Sequence, residues 1–131
     1  MPHLLTSLAL LAAQASVPAP NAIIGQWSNP KGTMEVRTRQ CGANLCGRVV
    51  RASEKAQAAA RDAGAPPLVG SDLLKNYSRT GERQWSGRIF IPKLGRDVPS
   101  QIRQTSADTI TISGCMMGGL VCKTQVWHRV G

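Results

Sequence analysis

Four cysteines stand in two close pairs: Cys41 and Cys46 with four residues between them, and Cys115 and Cys122 with six. No other feature limits the chain as much. Four cysteines allow three pairings, and the local one is the most economical if each pair closes a hairpin loop. The first loop, Cys41-Gly42-Ala43-Asn44-Leu45-Cys46, carries the Gly and Asn that tolerate the positive φ of a tight turn. The second, Cys115-Met116-Met117-Gly118-Gly119-Leu120-Val121-Cys122, carries a Gly pair for the same reason. Oxidised pairs belong to an oxidising compartment. The competing arrangement is one tetrahedral zinc held by all four sulfurs. Ligand pairs in such sites are usually about two to four residues apart, so the wider second spacing favours disulfides. A redox-active pair lacks its C-x-x-C at a helix start.

The N-terminus reads as a targeting segment. Residues 4–13 are nearly all apolar, and no charged residue precedes Lys31. The run is too short to span a bilayer as a helix, which takes roughly 20 apolar residues. Ala13-Gln14-Ala15 follows, the A-x-A pattern at which signal peptidase cuts. Residues 1–15 are therefore expected to be a signal peptide, although Met1-Pro2-His3 carries no Lys or Arg. Residues 16–22, with Pro18 and Pro20, form a flexible lead-in, and 23–131 a single domain. No Cys after the apolar run offers a lipid anchor, and no transmembrane segment is expected. The expected location is the periplasm or the medium.

A chain of 131 residues has room for one core. Three Trp, one Tyr and one Phe leave that core mostly to aliphatic side chains. Residues 23–28 read as a first strand, and Asn29-Pro30-Lys31-Gly32 as a turn. Residues 33–39 alternate, with Met34, Val36 and Thr38 on one face and Glu35, Arg37 and Arg39 on the other. A strand over 45–51 follows the first cysteine loop. Ser53 is placed to cap a short Ala-rich helix running to Arg61, read as a surface insertion that Gly64 and Pro66-Pro67 end. Residues 68–81 show no clear period; a helical turn is expected at 72–75. Strands are expected at 85–91 (Trp85, Ile89 and Ile91 sharing a face), at 95–104 with a break or bulge at Pro99, at 109–113 and at 123–130. Such evenly spaced strands predict an all-β fold with a short helical insertion, a small antiparallel barrel or a sandwich, of which the closed barrel leaves no exposed sheet edge.

The chain carries a formal net charge of +9. Lys75, Arg79, Arg83, Arg88, Lys93, Arg96 and Arg103 cluster in one stretch with only Glu82 and Asp97 among them. Such a field favours anionic partners, which outside the cytoplasm are lipid headgroups, lipopolysaccharide or acidic glycans rather than nucleic acid. A plain solvated face accounts for the same residues.

A run of short motifs resembles a family of small exported bacterial proteins catalogued as domain of unknown function 2147. The pieces are Ile24-Gly25-Gln26-Trp27, Cys41-Gly42, Leu45-Cys46-Gly47-Arg48-Val49-Val50, Trp85-Ser86-Gly87-Arg88-Ile89 with Pro92 and Gly95, Gly114-Cys115, Gly119-Leu120, and 122–129. Segment 53–72 and Arg96-Asp97-Val98-Pro99-Ser100 depart from the family pattern. The resemblance implies a lipocalin-like barrel and no established activity. In barrels of that kind an Arg on the last strand lies over the Trp of a Gly-x-Trp on the first. The resemblance assigns those places to Gly25, Trp27 and Arg129, which close one barrel end through a cation–π contact.

Nothing in the sequence points to catalysis, a cofactor or a metal. His128 is the one histidine left after cleavage. Glu35, Glu54, Asp62, Asp72, Glu82, Asp97 and Asp108 form no local carboxylate pair, and no nucleophile elbow or H-E-x-x-H occurs. Two function classes follow. One is a binding module holding a small apolar or anionic ligand in the barrel mouth. The other is a structural or interaction protein of the cell envelope, working through its basic surface.

Overall fold

The computed structural model describes residues 20–131; the expected signal peptide over 1–15 lies outside the described residues. Eight strands follow in chain order: β1 (Gln26–Ser28), β2 (Met34–Cys41), β3 (Asn44–Ala52), β4 (Asp72–Gly81), β5 (Gln84–Ile91), β6 (Arg96–Gln104), β7 (Thr109–Met116) and β8 (Val121–Arg129). Each pairs antiparallel with the next, and β8 returns to β1, closing a barrel. One helix, α1 (Glu54–Asp62), lies between β3 and β4.

This up-and-down order gives the barrel two distinct ends. One, here the Trp27 end, carries the start of β1, the turns after β2, β4 and β6, and the end of β8. The other, the helix end, carries α1 and the turns after β1, β5 and β7.

The strands form because their side chains alternate. On β6, Val98, Ser100, Ile102 and Gln104 are buried while Pro99, Gln101 and Arg103 face out. The break expected at Pro99 is absent: the register runs unbroken through Arg88↔Pro99. Pairing with β7 starts only at Ser100. Pro99 therefore sits where β6 has one strand neighbour, the edge condition that a residue without an N–H accepts.

Residues 72–75 are the start of a strand, not a helical turn. Leu73 and Leu74 are both buried, Asn76 has φ 49°, and the register with β5 shifts between Lys75 and Ser78. An irregular strand of this kind puts consecutive residues inside and erases the two-residue period that identifies a strand. The first strand is shorter than expected, because 20–23 form a 3-10 turn before it.

Helix α1 starts as its cap predicts: the Ser53 hydroxyl accepts a hydrogen bond from Ala56 N at 3.1 Å. It is not a bare surface insertion. Ala60 is buried and Ala56 packs on the core, a stripe of alanines four apart. A Cβ at Gly95 would lie 2.6 Å from the Ala63 carbonyl, so the chain just past α1 touches the β5–β6 turn.

The barrel's own side chains occupy its inside. Trp27, Trp127 and Tyr77 are its largest fully buried side chains, with Val36, Val49, Ile102 and Ile110 among them. Two wall glycines let them approach the backbone. A Cβ at Gly47 would sit 2.6 Å from a Val36 methyl, and one at Gly87 would sit 2.7 Å from the Tyr77 ring.

Tyr77, the sole tyrosine, is fully buried and its Oη has no hydrogen-bond partner among the described residues; Ser100 lies beside it without being placed to bond it. Burial pushes the phenol well above its usual pKa, more than the nearby Ser100 hydroxyl lowers it. The native state thus holds this proton at pH values where the unfolded chain releases it. Stability is full below the unfolded pKa of about 10 and falls as pH rises past it. Tyr77→Phe is expected to remove that alkaline slope. At neutral pH it is expected to stabilise by up to about 1 kcal/mol, because the lost hydroxyl was unsatisfied. Denaturant melts of both proteins from neutral to alkaline pH check this; an unchanged slope in Tyr77→Phe would contradict it.

Candidate functional site

The Trp27 end is closed by a compact set of contacts. The Trp27 indole Nε1 donates to Ile23 O at 3.0 Å, holding the 3-10 turn over the ring. Thr38 is buried on β2; its Oγ1 accepts from Gly25 N at 2.9 Å and donates to Ile23 O at 2.6 Å. The Arg129 guanidinium lies 4.4 Å from the Trp27 ring centroid, opposite it in the β1–β8 register. It also donates to the carbonyls of Ala22, Ile24 and Ala107. Gly25 has no room for a side chain: a Cβ there would meet the guanidinium and the Gly131 carbonyl. Gly25, Trp27 and Arg129 are thus brought together, and what they do is bind the first strand to the last.

The four cysteines form two disulfides, Cys41–Cys46 and Cys115–Cys122. The first is in the β2–β3 turn at the Trp27 end and the second in the β7–β8 turn at the helix end. One zinc cannot collect four sulfurs divided between opposite ends of a barrel.

The seven basic residues do not assemble into one patch. Lys75 and Arg88 are neighbours on the outer wall of β4 and β5, and both are engaged by Asp97: Lys75 Nζ by the carboxylate at 3.0 Å, Arg88 by the carbonyl at 3.1 Å. Arg79 turns back onto the carbonyls of Gly81 and Glu82, near Arg83 in the same turn. Arg103 faces out beside Gln84, whose side-chain oxygen accepts from it at 2.7 Å. Arg96 opens β6 next to Asp97, and Lys93 lies in the β5–β6 turn at the helix end, whereas Arg79 and Arg83 sit around the β4–β5 turn at the opposite end.

Two grooves on the wall formed by the described residues stand out. One, of about 380 Å³, runs beside the irregular stretch of β4 and is lined by Cys46, Pro66, Ser71, Asp72, Lys75, Asn76 and Phe90. Its charges are balanced in pairs: Arg39 holds Asp72 at 3.1 Å, and Asp97 holds Lys75. The Lys75 ammonium also lies 5.5 Å from the Phe90 ring centroid. Asn76, in its left-handed conformation, brings its amide oxygen within 3.9 Å of the Cys46 sulfur. The other groove, of about 330 Å³, is lined mainly by hydroxyls and amides, among them Gln101, Thr111, Ser113 and Thr124.

The sequence reasoning missed Phe90, Pro66 and Asn76. Phe90 had a signal: on a strand whose Trp85 and Ile89 face in, it is an aromatic on the outward face. Asn76 had only its residue type, since asparagine tolerates a positive φ, and no Gly or Pro beside it in Lys75-Asn76-Tyr77 marks a turn. His128 is exposed and pairs with Ser28 and Thr109 across the sheet.

No curated protein matches the chain. Among solved structures, one similar to it is described as "Protein HP1028 from the human pathogen Helicobacter pylori belongs to the lipocalin family". The two superpose with a TM-score of 0.62 over 82% of each chain at 12% identity, which establishes a lipocalin-like fold. A family profile described as "Uncharacterized protein conserved in bacteria" (DUF2147) matches residues 25–129, from the closing glycine to the closing arginine. The chain belongs to this bacterial family, DUF2147.

Proposed function

We propose that the protein is an exported binding module, not an enzyme, and that it takes a small ligand in the groove beside β4 rather than in the barrel mouth. A lipocalin-like fold favours small-ligand binding. The observation that carries the site is the filled interior. Trp27, Tyr77 and Trp127 occupy the space a lumen ligand needs, while the groove over Phe90 and Pro66 stays open. Its chemistry suits a small molecule with an apolar body beside Phe90 and Pro66 and an anionic group that competes with Asp97 for the Lys75 ammonium. A binding role is favoured over catalysis because Glu35, Asp72, Asp97 and Asp108 are each held by a basic side chain. Export is supported by the two disulfides together with the apolar N-terminus.

Native mass spectrometry of protein purified from the exported fraction tests all three parts. The expected spectrum shows a chain beginning at Ser16, both disulfides formed, and a retained small molecule. Lys75→Glu and Phe90→Ala are expected to release that molecule. Only the bare chain mass in the wild type, or retention unaffected by both substitutions, would count against the groove.

A further inference from the structure

We propose that the helix end of the barrel is a docking surface for an anionic lipid bilayer, with the tip of the β7–β8 hairpin as its inserting element. This does not depend on the ligand groove. The tip is apolar where nothing in the fold requires it. Leu120 is 84% exposed, Met117 71% and Val121 41%, whereas Met116, one residue earlier, packs on the core. Leu94, in the β5–β6 turn at the same end, is 43% exposed. The tip is also held in shape. The Cys115–Cys122 disulfide crosses its base, and Met117, Gly118 and Gly119 all have positive φ in a tight reversal. A short apolar loop held in this way has less conformational entropy to lose on insertion than a free one.

Charge selects the partner. The exposed cations around the two tips are Lys93 and Arg96 on the β5–β6 hairpin, Lys123 beside the disulfide, and Lys31 in the β1–β2 turn. None of them has an ion-pair partner among the described residues. Of the acids at this end, Glu35, Asp72 and Asp97 sit in ion pairs; Glu54 and Asp62 on α1 are exposed and offset only in number by Lys55 and Arg61 on the same helix. Few apolar side chains ringed by uncompensated cations fit the interface of an anionic membrane. There apolar insertion and headgroup attraction add, each being weak alone. A second copy fits less well, because a two-fold contact on this end sets the same cations against each other.

The test is co-sedimentation of the full chain with vesicles of phosphatidylcholine, with or without roughly one-third phosphatidylglycerol. Binding is expected only with phosphatidylglycerol present, and should weaken as salt rises. Met117→Asp with Leu120→Asp is expected to lower the bound fraction about tenfold, and Lys93→Glu with Arg96→Glu comparably. Because these side chains are exposed, melting temperatures should not move. Leu120→Trp supplies a gain of signal: its emission should shift to the blue on anionic vesicles and stay put on neutral ones. The proposal is overturned by absence of binding at low salt, by equal binding to neutral vesicles, or by a bound fraction indifferent to the tip substitutions. It is equally overturned by a tip-dependent dimer in sedimentation equilibrium with no vesicle binding.

Discussion

Trp27→Ala is expected to cost about 3–5 kcal/mol, the range for emptying a buried aromatic site, and so to lower the melting temperature by roughly 15 °C or more. Three losses combine. The fully buried indole leaves a void between β1 and the core. Ile23 O loses the Nε1 donor and keeps only the Thr38 hydroxyl. The Arg129 guanidinium loses the ring beneath it, a contact worth ~0.5–2 kcal/mol. Site matters as well as size. The β1–β8 ladder has two residue pairs, Trp27↔Arg129 and Ser28↔His128, making it the shortest seam in the barrel. Loosening it exposes the edges of β1 and β8 together. Arg129→Lys keeps the charge but not the planar stack, and is expected to cost about 1 kcal/mol. At temperatures where the variant is still folded, the groove beside β4 should be untouched, because Trp27 does not line it. Thermal melts of the three proteins decide this: a wild-type midpoint in Trp27→Ala would show that the seam does not depend on the indole.

How far the sequence revealed this architecture depends on the range of the forces involved. β2 and β5 were legible because each has one wet and one buried face, so their side chains alternate without interruption. The Ser53 cap and the glycine-bearing cysteine turns are local chemistry and were legible too. β4 was not: Leu73-Leu74 and the left-handed Asn76 break the alternation, and only pairing with β3 and β5 makes the segment a strand. The contacts of α1 were hidden for a different reason. Alanine carries little hydrophobic signal, yet Ala60 is buried in the core, and Gly95 lets the segment at Ala63 come close. The basic stretch failed as a guide to a patch because a meander sends residues eight or ten apart to opposite ends. Arg83 and Lys93 stand close in sequence, but the length of β5 separates them.

The two disulfides are expected to differ in what their removal does. By loop size alone each contributes about 2 kcal/mol, with little to separate a loop of six residues from one of eight. Their surroundings separate them. Cys46 is buried against β4 beside Asn76, and its bridge runs diagonally, since Cys41 faces Asn44 and Cys46 faces Arg39. Cys41→Ala with Cys46→Ala therefore loses packing as well as the link, and should cost about 2–4 kcal/mol. Cys115 and Cys122 face each other directly across β7 and β8, and Cys122 is exposed. Replacing that pair should cost no more than about 2 kcal/mol, the link alone. The difference in kind is local. At the Trp27 end the turn is backed by the buried sulfur and by the long β2–β3 ladder, so amide exchange at 41–46 should rise only modestly. At the helix end the tip residues Met117 and Leu120 have no core contact, and opening the bridge frees them. Amides at 116–121 should then exchange close to the unprotected rate while the rest of the barrel stays protected. If loop order is what favours insertion, anionic-vesicle binding must weaken in step with that exchange although Met117 and Leu120 are both still present. Strong vesicle binding by a freely exchanging tip would assign the affinity to side-chain chemistry alone and leave the second disulfide a purely stabilising role.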